Sequence, residues 1–360
     1  MLPGPTMPDP ERQTRSRLVE LFAEHQLHPR HDLGQNFLID LNLLEFVVAE
    51  AQLDQDDVVL EVGTGTGGMT AFLAEKAGAV ISVEIDPRVH ALAREKLAAF
   101  PHATLLLTDI LETKNELAPL VLQTVRDRLA ERPGRRLKLI ANLPYSVATP
   151  VITNLLASEL ELERMVVTVQ YEMAERMRGA PDTSDYGSLA VWIQAQSDCR
   201  ILKRLGPAAF WPRPKVDSAI VRIVPDPVRR HQLGDRRFFQ EFLRSLFQQR
   251  RKVVRKVLSN QWGDRLTADS LSAALADVGL TGSERAEQLP VETLIRLSRR
   301  LEPLCGSSSR TNSQGVAESG PAEPNPQQPN KHELHLPSRE GDSTSAPPLP
   351  ASLTVTSPGA

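Results

Sequence analysis

Between Asp57 and Val224 the chain alternates short β-branched apolar runs with stretches of helical periodicity, and that alternation leaves few folds open. The runs are VVLEV (58–62), AVISVEI (79–85), ATLLLTDI (103–110), LKLIAN (137–142), RMVVTVQ (164–170) and SAIVRIV (218–224). Helical patterns such as Met69–Lys76, Arg88–Phe100 and Ala118–Arg132 fill the gaps, so a parallel α/β sheet is expected. After Pro227 the strand pattern stops. Phe238–Leu258 and Ala268–Leu301 read as helices, which predicts a small all-α domain behind the sheet. The expected division is an N-terminal extension (1–30), a sheet domain (31–228), a helical domain (229–304) and a tail (305–360).

The ends lack the means to fold alone. Residues 1–16 are polar and Pro-rich with no apolar h-region, so no secretory signal is read there, and Met7 offers a second possible start. Gly306 to Ala360 has no Phe, Trp or Tyr and is rich in Ser, Pro, Gly, Asn and Gln; disorder is expected because it has too little apolar surface to offset its ordering entropy. Two distant cysteines, Cys199 and Cys305, exclude a disulfide framework or a cysteine-rich zinc site and suit a reducing cytosol. No apolar run reaches the ~18–20 residues of a membrane span. A cytoplasmic protein without a metal is expected.

Gly63-Thr64-Gly65-Thr66-Gly67-Gly68 follows the first strand and precedes a helix. Glycines there let a ligand approach the backbone, and nicotinamide and flavin enzymes use similar turns. Two features favour another ligand. Glu61, just before the first glycine, would repel a pyrophosphate but is compatible with the cationic S-adenosylmethionine. Glu84 ends the next strand, where it can accept from both ribose hydroxyls, and Asp109 ends the third, where it can meet an adenine amine. Three successive strand ends carrying Gly, Glu and Asp describe an adenosyl pocket along the carboxyl edge of the sheet.

The strand LKLIAN ends in Asn142-Leu143-Pro144-Tyr145. An adenine amine is a poor nucleophile because its lone pair is delocalised. The Asn142 side-chain oxygen and the Leu143 carbonyl, holding its two N–H groups, would favour the pyramidal form; Pro144 fixes the backbone and Tyr145 offers a stacking face. In-line attack on a sulfonium methyl then needs orientation more than a general base. Phe210, in the Pro-rich loop Phe210–Ser218, either closes the other face of an extruded base or is a core residue, with Arg213 and Lys215 near phosphate.

Taken in order, His31-Asp32-Leu33-Gly34-Gln35-Asn36-Phe37-Leu38, Glu61-Val62-Gly63, Glu84-Ile85-Asp86, Asp109, Asn142-Leu143-Pro144-Tyr145 and Phe210 through Ser218 closely resemble the ribosomal RNA adenine dimethyltransferases, the bacterial small-subunit members most of all. Gln170-Tyr171-Glu172-Met173-Ala174, Tyr186-Gly187-Ser188-Leu189 and Arg285-Ala286-Glu287-Gln288-Leu289 extend the similarity, which covers His31 to Leu301. The resemblance implies a Rossmann-like S-adenosylmethionine-dependent methyltransferase sheet with a small C-terminal all-α domain. It implies that Asn36, Leu38, Gly63, Glu84, Asp109 and Asn142 line the cofactor site, with Asn142 also reaching the target amine. The implied substrate is two adjacent adenosines in a hairpin near the 3′ end of small-subunit ribosomal RNA, each dimethylated late in assembly, with a pre-30S particle as partner and a monomeric enzyme. Departures are Thr64 between glycines where Pro is common, Ser146 where Asn is usual, a long linker from Leu111 to Arg136, and the tail.

The formal net charge of −3 hides an asymmetry: Arg200 to Lys256 carries 16 Lys or Arg against four acids, a local +12. Such clustering suits a polyanion partner, although a solvated basic face gives the same count. Arg250, Arg251, Lys252, Arg255 and Lys256 are expected in the last turns of the Phe238–Leu258 helix, where cations suit the helix dipole; their density favours RNA phosphate. Two other readings compete: a large-subunit adenine methyltransferase of the resistance type, and a non-catalytic assembly factor. The Phe210–Ser218 loop argues against the first, the intact Asn142–Tyr145 against the second.

Overall fold

A computed structural model describes residues 14–305. Residues 1–13 and 306–360, with the alternative start at Met7 and the expected disordered tail beyond Cys305, lie outside the described residues.

Seven strands build one sheet: β1 (Asp57–Val62), β2 (Ala79–Glu84), β3 (Ala103–Leu107), β4 (Arg136–Asn142), β5 (Leu162–Gln170), β6 (Ser197–Leu205) and β7 (Ser218–Pro225). Their order is β3-β2-β1-β4-β5-β7-β6. All six apolar runs are strands, and β3 through β5 pair in parallel. The expectation of a parallel sheet needs one correction: β7 runs antiparallel to both β5 and β6. The 206–217 connection from β6 to β7 contains no α-helix to carry a parallel crossover, so the chain simply turns back. The strand that escapes sequence reading is β6, whose SDCRILKRL is an edge strand with Asp198, Arg200, Lys203 and Arg204 exposed and no long apolar run.

The helices are α1 (Arg15–Glu24), α2 (Leu41–Ala51), α3 (Gly68–Ala74), α4 (Pro87–Leu97), α5 (Pro119–Ala130), α6 (Tyr145–Ala157), α7 (Tyr171–Met177), α8 (Ser188–Gln194), α9 (Pro227–Gln232), α10 (Arg236–Gln248), α11 (Val254–Trp262), α12 (Ala268–Asp277) and α13 (Val291–Cys305). Local chemistry sets their starts. Asp40, Asp86 and Asp235 each accept a first-turn N–H, and Pro87 occupies the first position of α4. The strand period of two then sorts the core. Val58, Leu60 and Val62 face one apolar cluster with α5, α6 and the C-terminal helices, while Val59 faces the other with α2 and α3. A short antiparallel pair (Leu111–Thr113 with Glu116–Leu117) and α5 fill the long linker.

The N-terminal extension is docked from α1 onward: Leu18 and Phe22 are buried, and the Phe22 ring sits edge-on to Phe37 and Trp211 at 5.3 and 5.1 Å. The C-terminal helices share the core of the sheet, with Phe239 beside Trp192 at 6.1 Å and the Tyr186 hydroxyl donating to the Leu289 carbonyl at 2.6 Å.

Two expected helices are each broken. Phe238–Leu258 divides into α10 and α11 between Gln249 and Val253, where Val253 leaves the helix to form a β-bridge to Arg285. Ala268–Leu301 divides into α12 and α13 around Gly279 and Gly282, whose φ of 79° and 88° end a helix without the cost other residues would bear.

Candidate active site

In an open α/β sheet a ligand crevice forms where the strand order reverses, here at β1 between β2 and β4. A cleft of about 240 Å³ lies there, lined by Asp32 to Phe37, the ends of β1 and β2, Asp109, Ile110 and residues 142–147. Asn36, Gly63, Glu84, Asp109, Asn142, Leu143, Pro144 and Tyr145 all meet on its wall.

Gly63 makes the close approach. Its φ is +84°, and a Cβ there would stand 3.3 Å from Pro144 Cδ, so glycine lets the end of β1 abut the Asn-Leu-Pro turn. Across the cleft, Glu84 accepts backbone N–H groups from Gly65 (2.9 Å), Ile85 (3.0 Å) and Asp86 (2.9 Å). Burial still pushes its carboxyl above the ordinary value, against those bonds. Asp109 is exposed, and its Oδ1 accepts from Leu111 N at 2.9 Å. The charged residues on the wall are Asp32, Glu84 and Asp109, with no Lys or Arg. An all-acid wall is the wrong chemistry for a pyrophosphate and fits a ligand carrying an ammonium and a sulfonium.

Glu61 does not contribute to that wall, a correction to its expected role of repelling phosphate. Strand alternation turns it to the α3 face, where it is fully buried and its Oε2 accepts from Thr70 Oγ1 and Ser82 Oγ, both at 2.6 Å. It anchors the glycine loop from below. Burial pushes its carboxyl up to about 8, and the nearby Glu84 charge adds to the rise. A raised carboxyl pKa means the folded state holds the proton more tightly. The stabilisation from this proton is complete below the unfolded value of 4.5 and is lost as pH rises through about 8. Glu61→Gln keeps the two accepted bonds without an ionisable group, so its urea midpoint is expected to exceed that of the parent above pH 8 and to vary less between pH 5 and 9. Parallel profiles for the two proteins would refute a protonated Glu61.

At the end of β4 the Asn142 side chain donates its Nδ2 to the Asn36 carbonyl at 2.8 Å. That bond fixes which way the amide faces and leaves Oδ1 free to accept. Asn36 is itself held by Nδ2 donating to the Gly34 carbonyl at 3.1 Å. The Leu143 N–H donates to the Thr168 carbonyl on β5 at 3.2 Å, and the Pro144 carbonyl opens α6 by accepting from Val147 and Ala148. Tyr145, half-buried, shares a 2.5 Å hydrogen bond with the buried Ser218 hydroxyl. Burial keeps its phenol above the ordinary range, hence neutral.

Comparison with known proteins decides the family: the profile described as "Ribosomal RNA adenine dimethylase" matches residues 26–302. The chain belongs to the ribosomal RNA adenine dimethylase family. This dimethylase is therefore a methyltransferase that uses S-adenosylmethionine and acts on ribosomal RNA. Proteins named "Ribosomal RNA small subunit methyltransferase A" are similar to it: that of Ligilactobacillus salivarius is 35% identical over 82% of this chain and 97% of its own length, and that of Geobacter metallireducens 35% over 78% and 98%. A dimethyladenosine transferase from Plasmodium falciparum has the same fold, with TM-score 0.61 at 20% identity over 73% of this chain and 96% of its own. The 23S rRNA methyltransferase ErmE superposes with TM-score 0.52 at 25% identity, over 74% and 100%.

Other residues expected in the dimethylase site fall elsewhere. Leu38 is buried in the core behind the cleft, paired with Phe210 across a two-stranded bridge. Phe210 is itself buried and off the cleft wall, so of its two readings this structure has the core one. Arg213 and Lys215 are exposed. The basic run lies in the turn between α10 and α11 and in the first turn of α11: Arg250, Arg251 and Lys252 follow the C-terminus of α10, where the dipole explanation holds, whereas Arg255 and Lys256 open α11, where it does not. Arg250 donates to the Ser184 carbonyl and faces Glu287, and Arg255 bonds Ser272 Oγ and the Thr281 carbonyl; both are tied into the fold. Arg251 and Lys252 are exposed. Residues missed by sequence reasoning are Asp32 and Gln35, on the wall, and Ser218. All stand inside quoted motifs, but only the folded loop shows Gln35 Nε2 reaching Asp86 at 3.1 Å. Among the described residues no cluster of His, Cys, Asp or Glu is placed to hold a metal, and no helix is long and apolar enough to cross a membrane.

Proposed function

We propose that this dimethylase methylates the N6 amines of two adjacent adenosines in a hairpin near the 3′ end of small-subunit ribosomal RNA, late in assembly, on a pre-30S particle. The observation that carries the chemistry is the Asn142 amide on the cleft wall, whose Nδ2 is engaged by the Asn36 carbonyl so that Oδ1 is left to accept. Small-subunit specificity is supported by the relatives of that name, which align over almost their whole length.

Asn142 Oδ1 and the Leu143 carbonyl accept the two N–H groups of the amine and hold it pyramidal, with its lone pair along the line of attack. Tyr145 stacks the base, and its neutral hydroxyl is moored to Ser218. Asn36, Gly63, Glu84 and Asp109 bind the cofactor, and Leu38 supports that wall from the core. When bound, S-adenosylmethionine supplies an electrophilic methyl on a sulfonium. The amine proton becomes acidic on transfer and passes to water without a dedicated base. Phosphate contacts fall to the exposed Arg213, Lys215, Arg251 and Lys252, and Arg250 and Arg255 act by shaping the turn that presents them. The enzyme works as a cytoplasmic monomer.

Incubation with labelled S-adenosylmethionine and 30S particles lacking base methylation, followed by mapping, is expected to place label in dimethyladenosine near the 3′ end of the small-subunit RNA. Label in large-subunit RNA alone would overturn the substrate, and tight particle binding with no transfer would favour an assembly factor.

A further inference from the structure

The carboxyl edge of the sheet carries a second aromatic feature beside the target-base motif. The last rung there joins Gln170 of β5, Ser218 of β7 and Leu205 of β6. Tyr171 follows the first of these and starts α7; Arg204 precedes the last. Asp217, immediately before Ser218, joins the two. Its carbonyl accepts the Tyr171 N–H at 2.9 Å, and its Oδ2 accepts from Arg204 Nε at 2.8 Å and lies 2.6 Å from a terminal guanidinium nitrogen. The Arg204 guanidinium lies over the Tyr171 ring, 4.3 Å from the centroid. The guanidinium is thus covered on its ring side and held by two contacts to one carboxylate oxygen, yet the side chain is 60% exposed.

A planar cation of this kind has a use. Unstacked bases of single-stranded RNA pack on guanidinium planes as well as on aromatic rings, and Arg is suited to this where Lys is not. The platform is also connected to the active site by covalent neighbours: Asp217 holds Arg204, and Ser218, the next residue, holds Tyr145. Lys215 and Arg213 lie on the same loop and are exposed, placing positive charge alongside for the phosphates.

We propose that Arg204, seated on Tyr171 and braced by Asp217, is a second stacking platform that binds the nucleotide flanking the methylated adenosine. The proposal rests on the ribosomal RNA substrate stated above. A simple surface ion pair would have no need of a fixed plane. A platform does, because an immobile face loses little entropy when a base settles on it.

The test uses the full chain and a target-hairpin RNA bearing 2-aminopurine at the position flanking the methylated adenosine. Binding is expected to quench its fluorescence. Arg204→Ala and Arg204→Lys should both lose the quenching and raise the KM for RNA about tenfold, leaving the KM for S-adenosylmethionine and the Tm unchanged. Tyr171→Leu, which removes the ring beneath the guanidinium, should do the same more weakly. Full activity and quenching in Arg204→Lys would overturn stacking and leave only a phosphate contact. Efficient transfer by the parent protein without quenching would overturn the platform alone. Absence of transfer to 30S particles as well as to the hairpin would overturn the substrate reading and the platform with it.

Discussion

Replacing Asn142 with alanine is expected to lower the single-turnover rate of methyl transfer by roughly 10³-fold, with RNA affinity unchanged. Removing one preorganised polar group from a reacting centre costs about 10²–10³ in rate, and here alanine removes the acceptor and the bond that orients it together. The Nδ2 bond to the Asn36 carbonyl at 2.8 Å couples the strand end to the loop that lines the cofactor cleft. Asn142→Asp separates the two roles. Aspartate can still accept from the amine, but its carboxylate faces the Asn36 carbonyl with no proton to donate, so an intermediate rate and weaker cofactor binding are expected. Near-normal turnover in the alanine variant would remove Asn142 from the reaction.

The second large effect is on stability and lies at the opposite edge of the sheet. Lys138 on β4 and Asp57 at the start of β1 are 1% and 0% exposed, with Nζ 2.8 Å from Oδ2. Lys138 Nζ also donates to the Gln52 carbonyl at 2.7 Å, beyond the end of α2. Truncating Lys138 to alanine strands Asp57 in the interior with Arg136 as its remaining ionic partner, at 3.0 Å. Breaking a buried pair from one side costs about 3–5 kcal/mol, a large share of the ~5–15 kcal/mol that holds a folded domain. The double change Lys138→Met with Asp57→Leu removes both charges and is expected to recover most of that loss. Urea midpoints for the three proteins read this directly; a double variant no more stable than Lys138→Ala would mean that the bond to Gln52, and not the charge pair, holds this edge.

Much of this protein was legible from local pattern. The six apolar runs are strands because strands inside a sheet covered on both faces, five of them parallel and β7 antiparallel, need near-continuous apolar residues, and such runs stand out in any window. The glycine turn, Glu84, Asp109 and the Asn142–Tyr145 turn were legible because each chemical role demands a residue type at the end of a strand, and strand ends can be counted. β6 escaped because an edge strand needs apolar residues on only part of its surface, so Arg200, Lys203 and Arg204 disguise it as a linker. The basic run was misplaced on a helix because its break depends on a bridge between Val253 and Arg285, residues that no local window contains together.

The sequence by itself therefore determined the fold class, the family chemistry and the residues gathered at the carboxyl edge, since these follow from periodicity and from residue types at element ends. Tertiary structure alone decided the rest. It turned Glu61 away from the cleft onto Thr70 and Ser82, put Phe210 in the core, tied Arg250 and Arg255 into the fold, and aimed the Asn142 amide by a carbonyl from the loop ahead of α2. Each of those outcomes depends on which distant group lies within hydrogen-bonding or packing distance of a side chain, and that distance exists only once the chain has folded.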